Sequence, residues 1–273
     1  MEKNTSNIPE LPGEKGTEHG YCNLSRLRMY YEISGSGTPL VLVHGGGSTI
    51  DTTFGKVLHR FAQSHTVVAV ELQAHGHTPD IDRPLSFEQD ADDIAALLQQ
   101  LGISGASVFG FSNGATTALQ FAIRHPDKTH KIVVASTIYK RQGAPAWFWE
   151  MIGQASFEGM PQLYKDAFLK INPDPDALYR MYERDIARMQ DFPDITESQM
   201  RAIKAPALII AGDKDVPTAE HLVEMHRLLT GSRLAIIPGG HGEYIGEITT
   251  RQNPVLVAAT VLLVNRFLDD DFL

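Results

Sequence analysis

The chain has 273 residues, of which 42% are hydrophobic and 21% are charged, and its formal net charge is −9 at pH 7. A chain of this length can bury a sizeable core, in one large α/β domain or in two small ones. The acidic balance argues against a nucleic-acid partner, because phosphate contacts need clustered Lys and Arg and the sequence has no such run.

The N-terminal residues 1–17 are polar and interrupted by prolines, which predicts a flexible arm. They contain no apolar stretch of the kind found in signal peptides. The most apolar later stretch, Val255–Val264, is far shorter than the roughly 20 residues that span a bilayer. We therefore expect a cytoplasmic protein with no membrane contact, either a monomer or a homodimer. Cys22 is the only cysteine, so neither an intrachain disulfide nor a Cys-based metal cage can form.

Short apolar runs bounded by turn residues predict the strands. A first strand starts at Leu27, and the later runs are Pro39–Gly45, His65–Leu72, Ser107–Phe111, Lys131–Thr137, Pro206–Gly212 and Arg233–Gly239. The later runs are continuously apolar, which is typical of strands buried on both faces of a parallel sheet.

Helical patterns lie between these strands. One follows a predicted N-cap at Ser86 and stops at Gly102, and the others are Ala115–Arg124, Thr218–Leu229 and a helix starting at Pro254 after the cap Asn253. This alternation predicts the α/β class, with a mostly parallel sheet covered by helices on both faces. Active sites in such sheets lie beyond the carboxyl ends of the strands.

One segment, residues 138–204, breaks the alternation. It shows no strand pattern and is rich in aromatic residues and Met, which predicts several short helices inserted between two strands. The core would then comprise residues 18–137 and 205–273.

The sequence G-x-S-x-G occurs at Gly110–Gly114, between a predicted strand and a predicted helix. A strand that turns at once into a helix presents its pivot residue, Ser112, at the edge of the sheet, and the flanking glycines let the two elements approach. The helix N-terminus points free N–H groups at the pivot, where they would stabilise an oxyanion. Ser112 is the candidate nucleophile.

A serine nucleophile needs a base, and the base needs an acid to orient it. His241 directly follows the last predicted strand, so we expect it at the same edge of the sheet as Ser112. His44 opens a glycine run and is interpreted as structural, whereas His75 is placed at the rim of the site. The acid is Asp213 or Asp215, both of which follow the strand Pro206–Gly212.

The chain resembles the α/β-hydrolase fold superfamily from about Tyr21 to Phe267. The resemblance is carried by the order Ser…Asp…His, the HGGG run at residues 44–47, the segment QAHGHT, the strand–elbow–helix unit, the G-D-x-D loop and the late G-H-G. Two positions depart from the pattern of many relatives: Ala115 stands where they have Gly, and Glu71 where they often have Asp.

This resemblance implies that Asp215 rather than Asp213 is the acid. It also implies an oxyanion hole formed by the backbone N–H groups of Gly46 and Asn113, and a helical cap at residues 138–204.

The implied activity is hydrolysis of a carboxylic ester of a small or medium apolar substrate through an acyl-enzyme. Such chemistry needs no metal and no organic cofactor, and its partner is a small ester-like molecule. A serine at the elbow argues against dehalogenase and epoxide hydrolase chemistry, which use aspartate there. The alternatives left open are a carbon–carbon bond hydrolase, a lactonase, a perhydrolase, a ligand-sensing protein with very slow turnover, and a scaffold with an inactive triad.

The expected substrate-binding residues are Gly47, Phe111, Trp147, Trp149 and Met151. On a helix, Trp147 and Trp149 point about 200° apart, so they cannot both face one pocket. Trp147 shares its face with Met151 and Gln154, whereas Trp149 shares its face with Ile152 and Ser156. The sequence does not choose between these two faces.

Overall fold

The computed structural model describes residues 16–270, so the predicted arm lies outside the described residues except for Gly16 and Thr17. The strands are β1 (Glu18–Leu24), β2 (Leu27–Ser34), β3 (Thr38–Val43), β4 (His65–Val70), β5 (Ala106–Phe111), β6 (Thr129–Ala135), β7 (Ala207–Gly212) and β8 (Arg233–Ile237). They form one 8-stranded sheet in the order β1-β2-β4-β3-β5-β6-β7-β8. The pairs β1–β2 and β2–β4 are antiparallel and the others are parallel, which confirms the predicted fold class.

The α-helices include the four that the sequence predicts. They are α1 (Ile50–Phe54), α2 (Leu58–Phe61), α3 (Phe87–Gln100), α4 (Asn113–Arg124), α5 (Ala146–Gly153), α6 (Gln162–Ile171), α7 (Pro175–Gln190), α8 (Glu197–Ala202), α9 (Ala219–Leu228) and α10 (Pro254–Asp269). The predicted caps Ser86 and Asn253 each accept a backbone hydrogen bond at a helix start, and so does Thr218, which precedes α9. Within residues 16–270, no helix is long and apolar enough to cross a membrane.

The sequence pattern does not predict β1, α1 or α2. Strand β1 lies at the edge of the sheet and buries only Cys22 and Leu24, so it has no continuous apolar run. Helices α1 and α2 have 5 and 4 residues, too few for a helical period to be recognised.

Two apolar layers lie on opposite faces of the sheet, because successive strand side chains point to opposite sides. Val41 and Val43 of β3 pack into the layer that contains α3, α4, α8 and α9. Leu40 and Leu42 pack into the layer that contains α1, α2 and α10. Strands β4, β5 and β7 are buried throughout, as predicted for a parallel sheet covered on both sides.

Strand β8 differs from this expectation, since residues Arg233–Ile237 are only partly buried. In the part of the chain that the structure describes, it is an edge strand and pairs with β7 alone. Sequence hydrophobicity alone does not separate an edge strand from a central one.

Residues 138–204 form a short 3-10 turn and helices α5 to α8, without a strand. Phe168, Leu178 and Met181 of α6 and α7 form an apolar cluster that includes Ala74 of the loop after β4. Met200 of α8 is instead part of the sheet-facing core. Helices α6 and α7 therefore pack against a loop at the carboxyl edge of the sheet, whereas α8 packs on its face.

The candidate catalytic residues and their neighbours lie on loops that follow the parallel strands. His44 to Gly47 follow β3, His75 follows β4, Ser112 follows β5, Asp215 follows β7 and His241 follows β8. Ser136, which the sequence analysis does not single out, follows β6. Adjacent strands are roughly 4.8 Å apart, so these loops meet at one edge of the sheet.

Candidate active site

Ser112 occupies a strained turn between β5 and α4. Its backbone angles are φ 53° and ψ −120°, a positive φ that only three non-glycine residues in the described part of the chain adopt. A Cβ at Gly110 would overlap the Gly114 carbonyl, and a Cβ at Gly114 would overlap the carbonyls of Val43 and His44. The two glycines of the motif are thus required by close packing of strand, turn and helix.

His241 lies against the carboxylate of Asp215. Its Nδ1 is 2.6 Å from Asp215 Oδ1, and the Asp215 side chain is fully buried, whereas 37% of the His241 side chain is exposed. The other Asp215 oxygen accepts hydrogen bonds from the Ser136 hydroxyl and from Gly212 N–H. Val216 N–H donates to Oδ1 at 2.7 Å. These donors fix the carboxylate, and the carboxylate orients the His241 ring with Nε2 pointing away.

The pKa of Asp215 lies below its usual value. Burial alone would raise this pKa, but the hydrogen bond and charge of His241 and the hydrogen bonds from Ser136 and Val216 outweigh it. Asp215 is therefore ionised at neutral pH and can stabilise an imidazolium at His241.

Asp213, the other candidate acid, points elsewhere. Its Oδ1 accepts a hydrogen bond of 2.8 Å from Gly239 N–H and supports the loop that carries His241. Of the two carboxylates, the structure brings Asp215 to His241, as the resemblance implied.

Gly46 and Asn113 approach each other beside Ser112. All three line one cavity, and a Cβ at Gly46 would lie 3.3 Å from the Asn113 side-chain carbonyl carbon. Asn113 is the first residue of α4, where backbone N–H groups have no partner within the helix. The two residues predicted to supply the oxyanion donors thus line the same cavity as the serine.

His44 is unsuited to act as a base. It is fully buried, its Nδ1 bonds the Gly45 carbonyl at 2.7 Å, and its Nε2 accepts from Leu72 N–H at 3.1 Å. Burial, reinforced by the nearby charge of His75, lowers the pKa of His44 to about 3. The ring stays neutral and joins the loops after β3 and β4, which agrees with its structural interpretation.

A cavity of about 820 Å³ opens above Ser112. Helices α5 to α7 and the loop after α5 supply most of its wall, which is largely apolar. Side chains from this segment in the lining are Trp147, Phe148, Glu150, Met151, Ile152, Gln154, Ala155, Ser156, Met160, Pro161, Tyr164, Met181, Tyr182, Asp185, Ile186 and Met189. Gly47 also lines the cavity, so three of the expected substrate-binding residues, Gly47, Trp147 and Met151, do contact it.

Phe111 does not line this cavity, contrary to expectation. Its side chain is 1% exposed, and its ring lies 4.8 Å from the His241 ring, centroid to centroid. A Cβ at Gly45 or Gly242 would contact the same ring. Phe111 is the last residue of β5, and its side chain belongs to the core layer that contains α1, α2 and α10. From there it packs against the His241 ring and does not line the cavity.

Trp149 is also absent from the cavity wall. Its indole N–H donates to the Arg141 carbonyl at 2.8 Å, and the Arg141 guanidinium lies 3.9 Å from its ring centroid. The Trp147 face of α5 is the one that faces the cavity, together with Met151 and Gln154. Ile152, on the face that it shares with Trp149, also lines the cavity, and so does Ser156, which lies beyond the end of α5 at Gly153.

Sequence analysis missed a buried charge network at the cavity wall. Asp185 of α7 accepts from His75 Nε2 at 2.8 Å and from Gly47 N–H at 2.5 Å, and Arg188 Nη2 donates to it at 2.5 Å. Arg188 also bonds Asp90 of α3 at 2.7 Å. His75 lies deep in this network and not at the rim. Charged residues on a helix normally indicate a solvated face, so the sequence carries no signal for this burial.

The pKa values in the network follow from its geometry. Burial would raise the pKa of Asp185, but His75, Arg188 and Gly47 N–H hold it well below the usual value. Burial would lower the pKa of His75, but Asp185 raises it. Both His75 nitrogens face acceptors, Asp185 and the Gln73 carbonyl, which suits the doubly protonated ring. Burial raises the pKa of Asp90 to about 6, with Arg188 opposing the shift.

No group of three or more His, Cys, Asp or Glu side chains within residues 16–270 is arranged to hold a metal ion.

Residues 40–259 match the family model described as Alpha/beta hydrolase family. The chain belongs to the alpha/beta hydrolase family. Within it, the chain is 32% identical over 233 residues to the human protein Serine hydrolase BPHL, covering 78% of this chain and 76% of that relative. It is 29% identical over 221 residues to Pimeloyl-[acyl-carrier protein] methyl ester esterase of Neisseria meningitidis (serogroup B, strain H44/76), covering 72% and 82% of the two chains.

Among solved structures, the enol-lactonase from Burkholderia xenovorans LB400 has the same fold, with a TM-score of 0.69 at 20% identity over 92% of this chain and 100% of that one. Membership of the alpha/beta hydrolase family makes hydrolysis the general activity of this chain.

The two aspartates of this hydrolase provide a matched pair of variants. Asp215→Asn should lower kcat by about 10³- to 10⁴-fold, because the amide no longer fixes the His241 tautomer. Asp213→Asn should leave kcat near the wild-type value. Steady-state kinetics on an aryl ester, with melting temperatures for both variants, would measure this. An inactive Asp213 variant beside an active Asp215 variant would contradict the assignment.

The two tryptophans of α5 provide a second pair. Trp147 is 55% exposed and lines the cavity, so Trp147→Ala should change the ratio of kcat/KM values between short and medium acyl esters with little change in Tm. Trp149→Ala should lower the unfolding free energy by roughly 2 kcal/mol, less than for a fully buried aromatic residue. Denaturant unfolding and an ester panel would separate the two effects, and indistinguishable variants would refute the assignment of faces.

Proposed function

We propose that this chain is a serine esterase that cleaves carboxylic esters of small or medium apolar substrates through an acyl-enzyme. The observation that carries the proposal is the strained Ser112 at the start of α4, on the floor of a largely apolar cavity. Strained backbone in a non-glycine residue at a cavity is a feature of functional sites. The nearby Asp215–His241 pair supports the same reading.

In the proposed first half-reaction, Ser112 Oγ attacks the ester carbonyl while His241 Nε2 takes the hydroxyl proton. The N–H groups of Gly46 and Asn113 hold the oxyanion, and each such donor contributes about 3 kcal/mol to the transition state. When the C–O bond breaks, Nε2 passes its proton to the leaving alkoxide, and the alcohol departs.

In the second half-reaction, His241 Nε2 takes a proton from water, and the hydroxide attacks the acyl-enzyme carbonyl. Collapse of the tetrahedral intermediate breaks the bond to Ser112 Oγ, which regains the proton from Nε2 as the carboxylic acid leaves. Asp215 stays ionised throughout and offsets the imidazolium charge. The cycle requires no metal and no organic cofactor.

Among the described residues, no hydrogen bond joins the Ser112 hydroxyl to His241. Catalytic hydrogen bonds are often long in a free enzyme and tighten when substrate binds. The proposed cycle therefore includes this tightening as part of substrate binding.

Residues 138–204 would act as the cap over the site. In this proposal α5 to α7 select the substrate, since their apolar side chains form most of the cavity wall. Four of these side chains are methionines (Met151, Met160, Met181 and Met189), whose flexible thioethers adapt to acyl groups of different shape.

The charge of the cavity wall favours neutral esters over substrates that carry a carboxylate. Among the described residues, the lining includes two acidic side chains, Glu150 and Asp185, and no Lys, Arg or His. A substrate carboxylate would enter without a cationic partner, at an electrostatic cost. The Neisseria relative is likewise a methyl ester esterase.

The nucleophile is tested by Ser112→Ala, which should lower ester hydrolysis by at least about 10⁴-fold while the melting temperature is retained. Ser156→Ala is the matched control, because it removes another cavity hydroxyl and should leave the rate unchanged. Rapid turnover by the wild type would also set it apart from a ligand-sensing protein. Comparable rates for wild type and Ser112→Ala would refute the proposal.

The charge preference is tested with two methyl esters of equal chain length. Methyl hexanoate should have a kcat/KM about tenfold higher than the methyl half-ester of adipic acid at pH 7, which corresponds to about 1.4 kcal/mol. Titration of released acid would measure both rates. Equal values, or faster cleavage of the acidic ester, would contradict the proposed preference.

A further inference from the structure

The carboxylate of Asp185 connects α7 to the loop that carries the proposed oxyanion donor. Asp185 is 6% exposed, and its Oδ2 lies 2.5 Å from Gly47 N and 2.8 Å from His75 Nε2. Gly47 directly follows Gly46 and has a positive φ of 65°. A single carboxylate oxygen thus holds the loops after β3 and β4 together.

The hydrogen bond to Asp185 also indicates which glycine N–H group is available to bind an oxyanion. Gly47 N–H already has an acceptor, so it is not available to an oxyanion. The backbone of Gly46 lies between two side chains, since a Cβ there would be 3.2 Å from Asp185 Oδ2 and would overlap the Asn113 amide nitrogen. Gly45 N–H donates to the Thr53 hydroxyl at 3.4 Å, and within residues 16–270 Gly46 N–H has no acceptor, so it is the donor of the glycine run that remains for an oxyanion.

The rest of the network keeps the Asp185 charge from opposing the reaction. A lone carboxylate near a developing oxyanion would destabilise it. Arg188 bonds the other Asp185 oxygen at 2.5 Å and also bonds Asp90. Buried ion pairs are weak evidence for stability, because desolvation offsets the attraction. These ion pairs are costly to bury, and Asp185 bonds the loop that carries the proposed oxyanion donor. We therefore attribute to them a role in catalysis and not only in stability.

We propose that Asp185 is a positioning residue, which fixes Gly47 so that the neighbouring Gly46 N–H points at the substrate oxygen. This inference rests on the proposed serine esterase function. It makes the oxyanion hole depend on the docking of α7, so the segment that lines the cavity also completes the catalytic machinery.

The neighbouring residue of α7 offers a matched control. Arg184 bonds Asp80 at 2.7 Å and the carbonyls of Arg83 and Ile81, so it joins α7 to the core without touching the glycine loop. Arg184→Gln removes a connection between the same helix and the core. A loss of activity that arises only from looser docking of α7 would therefore appear in both the Asp185 and the Arg184 variants.

The test compares Asp185→Asn with Arg184→Gln in the full chain. The acylation rate constant is read from the burst of p-nitrophenol released from p-nitrophenyl butyrate. It is independent of the fraction of folded enzyme, which sets only the burst amplitude. Asp185→Asn should lower this rate constant about 100-fold, comparable to a misplaced or lost oxyanion donor. Arg184→Gln should leave it unchanged.

Inhibitor binding supplies a readout that a structural role would not change. A boronic acid forms a tetrahedral adduct on serine with an oxygen in the oxyanion hole, and its affinity should fall about 100-fold in Asp185→Asn. Inhibition by 1-hexanol, which only fills the cavity, should be unchanged. Wild-type acylation and boronate affinity in Asp185→Asn would overturn the inference, as would equal losses in both variants. A wild type with no Ser112-dependent release of p-nitrophenol would instead refute the proposed esterase function.

Discussion

The whole site depends on one backbone constraint, the change from β5 to α4 at Ser112. The chain has a positive φ there, which costs on the order of 1–3 kcal/mol in a residue with a Cβ. Neighbouring strands maintain it: Ser112 N–H donates to Ala135 of β6 at 2.8 Å, and Gly114 packs against the backbone of β3. Because the parallel sheet holds this turn in place, the other site residues need only follow neighbouring strands to reach it.

Local patterns in the sequence were sufficient for the parallel part of the sheet and for the elbow, but not for the edge strand β1. Continuous apolar runs predict six parallel strands, and the glycines at 110 and 114 predict the close packing that the structure contains. The choice of Asp215 over Asp213 needed the family resemblance, because both residues follow the same strand. The geometry agrees with that choice, since Asp215 contacts His241 whereas Asp213 binds Gly239.

Other features depend on contacts that no local pattern encodes. The helical period gives the angle between Trp147 and Trp149 but not the rotation of α5 about its axis, so the sequence could not tell that Trp147 lines the cavity and Trp149 does not. The Asp185 network joins residues 138 and 98 positions apart, Gly47 with Asp185 and Asp90 with Arg188. A helix that contains Glu, Arg and Asp has the composition of a solvated helix until its neighbours are known.

Helices α6 and α7 contact the loops on both sides of Ser112. Asp185 bonds the loop after β3, and the Tyr164 hydroxyl donates to buried Glu247, just beyond His241, at 2.8 Å. Changes in α6 or α7 that alter the cavity should therefore also affect the loops that carry the proposed donor and base. In this arrangement substrate selection and rate are physically coupled, and they would not vary independently among variants of the segment.

The most direct test of the central claim is the site of covalent labelling by a fluorophosphonate, mapped by mass spectrometry of peptides from the intact enzyme. Such reagents react with serines that have both a base and an oxyanion hole. The account predicts a single adduct on the peptide that contains Ser112, formed in step with the loss of esterase activity. Full loss of activity with the adduct on another residue, or ester hydrolysis that persists after Ser112 is fully labelled, would contradict it.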